Sequence, residues 1–209
     1  ESIKKAFDSV SSKHTTVFFP KGIYKVTGTL SISDIDFLTI TGDASISAEC
    51  YRIFDIKNCN HLTVSDLNIE GNSYCNKGLS IYDSKYSNVF NVKVQNMGST
   101  TNDNIGGIEL IGDCSFSTIR NCKVFNMISS KVAFGIMLSS RENTFSKHCL
   151  INNCLIDTVV PSDDADGIKF LQLGMQSYST VSNCTILNCD KRAIKVQTEF
   201  VDIYNCYCE

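Results

Sequence analysis

Two charged segments near the C-terminal end of the chain carry residue types that hydrolytic chemistry needs. They are residues 161–167 (PSDDADG) and 189–193 (CDKRA). If the segments belong to neighbouring units of a repeat, Asp166 lies beside Arg192 and Asp164 lies beside Asp190, about 4.8 Å apart. Adjacent carboxylates raise each other's pKa, which keeps one of them protonated near neutral pH. We therefore predict catalytic roles for Asp164, Asp166 and Asp190.

A fourth carboxylate, Glu109, is the remaining catalytic candidate. Glycoside hydrolysis uses two carboxyl groups, and their separation decides whether configuration is retained or inverted. Glu109 lies two repeats from Asp166, or roughly 10 Å at the ordinary strand spacing, near the upper end for an inverting pair. The substrate-binding candidates are Arg192, Lys195, Lys169 and Asp163. The alternative that we keep open is an acidic turn on a solvated loop, ion-paired to Arg192 and worth little energetically.

A repeat must position these residues. Residues 180–186 (TVSNCTI) have counterparts at 63–69, 88–94, 118–124, 150–156 and 202–208, each with Asn or Asp before an apolar residue. That apolar residue is Leu67, Val92, Cys122, Cys154, Cys184 and Cys206, and subtraction gives steps of 25, 30, 32, 30 and 22 residues. Such a period is typical of a solenoid, in which each unit buries its apolar face against its neighbours.

A second motif alternates apolar and variable residues and predicts another short strand in each repeat. It begins at Gly78, Gly107, Gly135, Gly167 and Ala193. We predict an all-β parallel β-helix that covers residues 15–209, after an N-terminal capping helix and linking turn at 1–14. The chain also ends inside a repeat, so we expect the solenoid to be truncated at its C-terminus.

One row of this second strand should point outward and form the face of a groove. The row is Ser31, Asp55, Ser80, Glu109, Met137, Lys169 and Lys195. Three long repeats place their extra residues just before this strand, at 97–106, 127–134 and 157–166. Loops at one repeat position stack on one side of a solenoid, so we expect them to wall the groove.

The repeated Asn and Cys residues have structural interpretations. Asn tolerates the left-handed conformation of a tight turn, and stacked amides can hydrogen-bond from coil to coil. The cysteines at one repeat position should form an inward stack of small apolar side chains with free thiols. Reduced cysteines favour folding in a cytoplasm. The histidines His14, His61 and His148 look scattered, without a nucleophile beside them.

The run VFFPKGIY at residues 17–24 and the run LTITGD at 38–43 resemble the opening of pectate-lyase-like β-helices. That group includes pectate lyases, polygalacturonases and bacteriophage tailspikes and appendages. The resemblance implies a right-handed, single-stranded parallel β-helix and a carbohydrate partner.

Residues 165–168 (ADGI) are similar to the Asn-Thr-Asp-Gly motif of polygalacturonases, with Asp166 matching its Asp. Arg192 and Lys195 resemble the substrate-binding Arg-Ile-Lys motif. The chain departs from that pattern at Asp190-Lys191, where the resemblance implies Asp-Asp, and it has no Gly-His-Gly motif.

A lyase of this group uses Arg or Lys as the base and carboxylates that hold calcium. The cations would be Arg192, Lys195 and Lys169, and the calcium ligands Asp163, Asp164 and Asp190. We expect no cofactor otherwise, and no separate metal site, since no C-x-x-C pair is present.

Composition excludes several function classes. The 209 residues have a net charge of −3, so no basic field for nucleic acid is indicated. No apolar run approaches the length of a membrane span, and we recognise no signal peptide.

We predict a polysaccharide-binding domain that also cleaves its ligand as a glycoside hydrolase or polysaccharide lyase. Its expected origin is a phage tailspike or appendage depolymerase on a virion tail or cell surface, trimeric in the full-length protein. The alternatives are a non-catalytic β-helix spacer or adhesin and a secreted pectinase-like enzyme.

Overall fold

The computed structural model describes residues 2–98, 103–161 and 163–209, and most of them lie in parallel strands. In chain order the elements are α1 Ser2–Asp8, β1 Thr16–Val26, β2 Leu30–Ser33, β3 Thr39–Ala48, β4 Arg52–Lys57, β5 Thr63–Glu70, β6 Lys77–Tyr82, β7 Asn88–Phe90, β8 Lys93–Met97, β9 Ile105–Ile111, β10 Thr118–Arg120, β11 Lys123–Ser129, β12 Val132–Ser139, β13 Leu150–Asn152, β14 Leu155–Pro161, β15 Asp164–Ser182, β16 Thr185–Cys189, β17 Arg192–Tyr204 and β18 Tyr207–Cys208. The predicted all-β parallel β-helix with a short N-terminal helix is confirmed, and the solenoid has about seven turns.

Each coil contributes strands to three faces around one apolar core. Face 1 contains β2, β4, β6, β9, β12 and the first parts of β15 and β17. Face 2 contains the first parts of β1, β3 and β5, then β7, β10, β13 and the ends of β15 and β17. Face 3 contains the second parts of β1, β3 and β5, then β8, β11, β14, β16 and β18.

Helix α1 packs on the N-terminal end of this core. Phe7 is buried, and its ring lies 5.9 Å from the rings of both Phe19 and Phe54. The buried Phe7 ring covers the apolar core of the first coils and shields it from water. Helix α1 lies within the segment predicted as 1–14, and the boundaries of the two predicted regions stay a prediction.

The Asn row forms the turn between faces 2 and 3. Asp66, Asn91, Asn121, Asn153, Asn183 and Asn205 all have positive φ, between 50° and 57°. Amide groups join neighbouring coils, since Asn91 Nδ2 donates to Asp66 Oδ1 at 3.0 Å and Asn153 Nδ2 donates to Asn121 Oδ1 at 2.9 Å. The structural interpretation of this row therefore agrees with the geometry.

A row of aromatic rings runs along the turn between faces 1 and 2. It consists of His14, Phe37, His61, Tyr86, Phe116, His148, Tyr178 and Phe200. Neighbouring ring centroids are 4.5 to 5.6 Å apart with interplanar angles of 2° to 16°. The three histidines are thus not scattered, as the sequence suggested, but occupy one equivalent position in different coils. All eight residues are exposed at their edges and have φ between 48° and 61°.

The stacked cysteines lie where the repeat predicted them. Cys122, Cys154 and Cys184 are buried on the inner side of successive coils, and all eleven cysteines have free thiols. Burial raises the pKa of another interior thiol, Cys114, to about 12. A buried thiol that keeps its proton is a poor nucleophile, and this applies to Cys114. In the stack itself, a hydrogen bond with Cys154 lowers the pKa of Cys122, and the stacked side chains contribute to the core by their burial.

Gly135 marks a position on face 1 where coils approach too closely for a side chain. An added Cβ would lie 2.6 Å from the carbonyl oxygen of Gly167 and 2.7 Å from Cγ2 of Ile156. We predict that Gly135→Val lowers the free energy of unfolding by about 3 kcal/mol or more. The matched control is Gly28→Val, since nothing lies within 4 Å of a Cβ there. Equal urea midpoints for the two variants would contradict the prediction.

Substitution of Tyr86 tests whether ring stacking stabilises the turn between faces 1 and 2. Its ring lies 4.9 Å from His61 and 5.3 Å from Phe116, and its φ is 57°. Tyr86→Ala keeps the unfavourable φ and loses both stacking contacts, so we expect a loss of about 1–3 kcal/mol. Tyr86→Phe keeps both contacts and should change stability by less than about 0.5 kcal/mol. Thermal unfolding of the two variants is the measurement.

Candidate active site

The outward row predicted on face 1 exists, but much of it is buried. Strand register aligns Ser31, Asp55, Ser80, Glu109, Met137, Lys169 and Lys195 on successive coils. Ser80 is fully buried, and Glu109 and Lys169 are 2% and 6% exposed. The row faces away from the apolar core, yet its middle members do not line an open groove.

The extra residues before face 1 also differ from the predicted wall of loops. In the second and third insertions they extend strands, because β11 continues to Ser129 and pairs there with β14. β12 then begins at Val132, which aligns with Asp164 at the start of β15. The first insertion, 97–106, includes residues 99–102, and the third, 157–166, includes residue 162; these lie outside the described residues.

Five predicted residues converge on face 1 of the last two coils, and we name them the Asp164 cluster: Asp164, Asp166, Lys169, Arg192 and Lys195. Arg192 bridges both carboxylates, since Nε donates to Asp166 Oδ1 at 2.6 Å and Nη2 donates to Asp164 Oδ1. Lys195 Nζ lies 3.2 Å from Asp164 Oδ2. Lys169 Nζ lies 3.4 Å from that same oxygen and 2.9 Å from Asp166 Oδ2.

Strand register explains this convergence. β15 and β17 align Asp166 with Arg192 and Lys169 with Lys195, as the repeat predicted. Ile168 is fully buried in the core, whereas Asp166 and Lys169 make their ion pair outside it. The two lysines are stacked like charges about one strand spacing apart, and Asp164 Oδ2 contacts both of them.

Asp166 is fully buried beneath its two cationic partners. Its Oδ2 contacts Lys169 as an ion pair, but the contact lacks hydrogen-bond geometry. Within the described residues this oxygen accepts no hydrogen bond. A buried acceptor without a hydrogen bond is costly and uncommon, so Asp166 Oδ2 is the atom of the cluster with unused capacity.

Asp164 is an ionised carboxylate rather than an acid that keeps its proton. Desolvation raises its pKa, but hydrogen bonds from Lys195 and Arg192 and the charge of Lys169 outweigh that effect and lower the pKa to about 2. The expectation that paired carboxylates raise its pKa was wrong. The pairing itself was also wrong, since Asp190 follows a strand that aligns Cys189 with Val159.

Asp163 and Asp190 lie outside the Asp164 cluster. Both residues are exposed. The backbone N–H of Asp163 donates to Lys131 O at 2.9 Å, and that of Asp190 donates to Val159 O at 3.2 Å. Neither side chain forms an ion pair or a hydrogen bond with the five residues of the cluster in the described structure, and both residues lie just outside strand ends.

Glu109 belongs to a separate buried group. Its Oε1 lies 2.8 Å from Lys77 Nζ, and its Oε2 accepts a hydrogen bond from Ser80 Oγ at 2.6 Å. Lys77 Nζ lies 4.5 Å from the centroid of the Phe134 ring. The structure therefore does not pair Glu109 with Asp166. Sequence analysis missed Lys77. This residue occupies the same position of the repeat as Phe134, two coils later, and Asp166, three coils later.

The acidic residues do not fit the calcium site that a lyase would need. Among the described residues, no group of three or more His, Cys, Asp or Glu side chains converges to hold a metal ion. Of the three expected ligands, Asp163 and Asp190 lie outside the Asp164 cluster. Asp164 already contacts three cationic side chains.

The parallel β-solenoid of about seven turns agrees with a pectate-lyase-like β-helix. The chain belongs to the rhamnogalacturonase A/epimerase, pectate lyase-like family, whose family model matches residues 1–207. The family supports a polysaccharide-active β-helix. Neither curated proteins nor solved structures gave a match. In the described part of the chain, no helix is long and apolar enough to cross a membrane.

The low pKa of Asp164 makes stability depend on pH in acid. Because folding lowers this pKa from 3.8 to about 2, the stabilisation is present above about pH 4 and is lost as the pH falls towards 2. We expect Asp164→Asn to remove at most about 2 kcal/mol of this pH-dependent stability. The measurement is urea unfolding from pH 5 to pH 2, with the exposed Asp43→Asn as control. A wild-type slope retained in Asp164→Asn would rule out this assignment.

Proposed function

We propose that this chain binds an acidic polysaccharide at the Asp164 cluster and hydrolyses it there. The observation that carries the proposal is the pair of carboxylates, Asp164 and Asp166, held by three cations on one outer face. Family membership supports a polysaccharide as the ligand. Three positive and two negative side chains leave one net positive charge, which favours an acidic sugar.

The separation of the carboxylates restricts the reaction. Oδ2 of Asp164 and Oδ2 of Asp166 both contact Lys169 Nζ, at 3.4 and 2.9 Å, so these two oxygens lie at most 6.3 Å from each other. An inverting pair needs about 6.5–9.5 Å to place a water between them, and a retaining pair needs about 5–5.5 Å. The geometry therefore favours hydrolysis with retention, and it replaces the inverting pair of Asp166 and Glu109.

The two carboxyl groups suit different roles. Asp164 is ionised, as a nucleophile or an electrostatic stabiliser must be. We assign the proton donor to Asp166, whose Oδ2 accepts no hydrogen bond within the described residues. Its ion pairs with Lys169 and Arg192 must open before this carboxyl can exchange a proton with the leaving group. Arg192 covers Asp166, so substrate must draw this guanidinium aside, and its own acidic group is the natural partner for it.

A non-catalytic structural role is the second candidate, and the closed charge network favours it. Each cation of the Asp164 cluster contacts a carboxylate of the same cluster. Such a network joins the last two coils without any ligand. The phage appendage, virion location, trimeric assembly and secreted-pectinase alternatives stay predictions from the sequence.

Hydrolysis is tested by product formation from capsular polysaccharides, O-antigens and pectins. We expect new reducing ends from wild type and a loss of about 10²–10⁴-fold in Asp166→Asn, the usual contribution of a general acid. Asp43→Asn, an exposed acidic residue outside the cluster, should keep full activity. The anomeric configuration of the first product, read by proton NMR, should be retained.

Two other outcomes would redirect the assignment. Absorbance growth near the unsaturated-uronate band would show elimination and exclude the hydrolytic roles of both carboxylates. Absence of product from every glycan, with a folded protein by circular dichroism, would favour the structural candidate.

Lys195→Gln leaves both carboxylates in place and should raise KM more than it lowers kcat.

A further inference from the structure

A second charged site lies on face 1 near the N-terminal end, around the ring of Tyr82. Three cations surround this ring: Lys57 Nζ is 5.2 Å, Arg52 Cζ is 5.3 Å and Arg141 Cζ is 5.9 Å from its centroid. Arg52 aligns with Lys77 and Lys57 with Tyr82 on neighbouring coils. The site lies about three to four coils, or roughly 15–20 Å at the strand spacing, from the Asp164 cluster.

An insertion brings the third cation to this site. Ten residues connect β12 to β13, whereas five connect β6 to β7 and six connect β9 to β10. The extra residues form a tight hairpin in which Arg141 and Thr144 exchange backbone hydrogen bonds of 2.9 Å. The hairpin reaches back two coils to Asp83, which accepts from Arg141 Nη1 and Thr144 Oγ1, both at 3.3 Å. Sequence analysis did not detect this insertion.

The carboxylates at this site leave positive charge over. Asp55 is shared between Arg52 at 3.1 Å and Lys57 at 2.8 Å, and Asp83 pairs with Arg141. Glu142 lies 3.9 Å from Arg141 Nε, and its side chain is 82% exposed, so it is largely solvated. Three cations therefore face two close carboxylates, and repulsion between the cations favours an additional anion.

Two polar groups at the site have capacity for a ligand. Arg52 Nε is buried, and no acceptor among the described residues hydrogen-bonds with it. Burial raises the pKa of Tyr82 to about 12, so its phenol stays neutral and can donate. The Tyr82 hydroxyl makes no hydrogen bond to the described residues. The Tyr82 hydroxyl can donate a hydrogen bond to an oxygen of an anionic group, whereas Arg52 Nε reaches such an oxygen only if the Arg52 side chain moves, because this atom is buried.

We infer a second binding site for an anionic group of a sugar, either its carboxylate or its sulfate. The site is formed by Arg52, Lys57, Tyr82 and Arg141. The inference takes the acidic polysaccharide of the proposed function as its ligand and rests on that proposal for the sugar. The site is separate from the Asp164 cluster, because Glu109, Met137 and Phe134 lie buried between the two. It holds the polymer at a distance from the reacting bond.

The test is a titration of isotope-labelled protein with galacturonate and, separately, with sodium sulfate, followed by amide NMR. Both probes are small enough to occupy one site, so binding here does not depend on cleavage. We expect shifts at Arg52, Tyr82 and Arg141 and at least a fivefold weaker Kd in Arg52→Gln and in Arg141→Gln. The matched control is Arg120→Gln, since Arg120 lies 4.6 Å from the Phe90 ring on face 2; it should bind within twofold of wild type.

Each outcome decides the inference. Shifts with galacturonate support a uronate carboxylate as the group, and shifts with sulfate alone support a sulfate ester. An unchanged Kd in both variants, or an equal loss in Arg120→Gln, would overturn the site, as would the absence of shifts with either probe. Asp166→Asn should bind at this site like wild type, so failure of the hydrolysis proposal leaves a distinct pattern: binding at Tyr82 without product.

Discussion

Parallel stacking of coils in register is the constraint on which the rest of this molecule depends. Every residue lies about 4.8 Å from its equivalents in the next coils, so each row of the repeat must tolerate contact between like residues. Amides and aromatic rings meet that requirement directly, as the Asn row and the aromatic row do. Charged rows do not, because stacked like charges repel one another.

The Asp164 cluster follows from this constraint. Lys169 aligns with Lys195, and this pair would be unfavourable if left alone. Asp164 Oδ2 contacts both ammonium groups, while Arg192 and Asp166 form an opposite-charge pair across the same two coils. The cluster therefore offsets the repulsion between the stacked lysines of the last two coils, and the binding that we propose uses the same side chains. Substitution of any one of these residues therefore affects the stacking of the two coils as well as the site.

Much of the fold and part of the candidate site could be predicted from the sequence. The period of the Asn and Cys positions sets which residues align, so the pairs Asp166–Arg192 and Lys169–Lys195 were predicted correctly. The period says nothing about residues at strand ends. Asp164 and Asp190 were therefore paired wrongly, because the chain path there depends on strand extensions with no equivalent in the other coils.

Prediction from the repeat also failed for side chains that contact non-equivalent positions in other coils. Glu109 occupies the predicted row but turns to Lys77, one coil earlier, instead of to Asp166. Arg141 crosses two coils because its hairpin is anchored on Asp83. Neither contact follows from alignment of equivalent positions. The aromatic row was readable from spacing, but its members differ in type, which hides the repeat from a search for identical residues.

The aromatic row also provides an intrinsic spectroscopic probe of the fold. The chain contains no tryptophan and eight tyrosines, so its near-ultraviolet absorption arises chiefly from tyrosine. Two of these, Tyr86 and Tyr178, stand between stacked rings, where neighbouring transition dipoles couple. Separation of coils at either position removes that coupling locally. The protein thus carries two stacked tyrosines, three coils apart, that distinguish fraying of one end of the solenoid from unfolding of the whole.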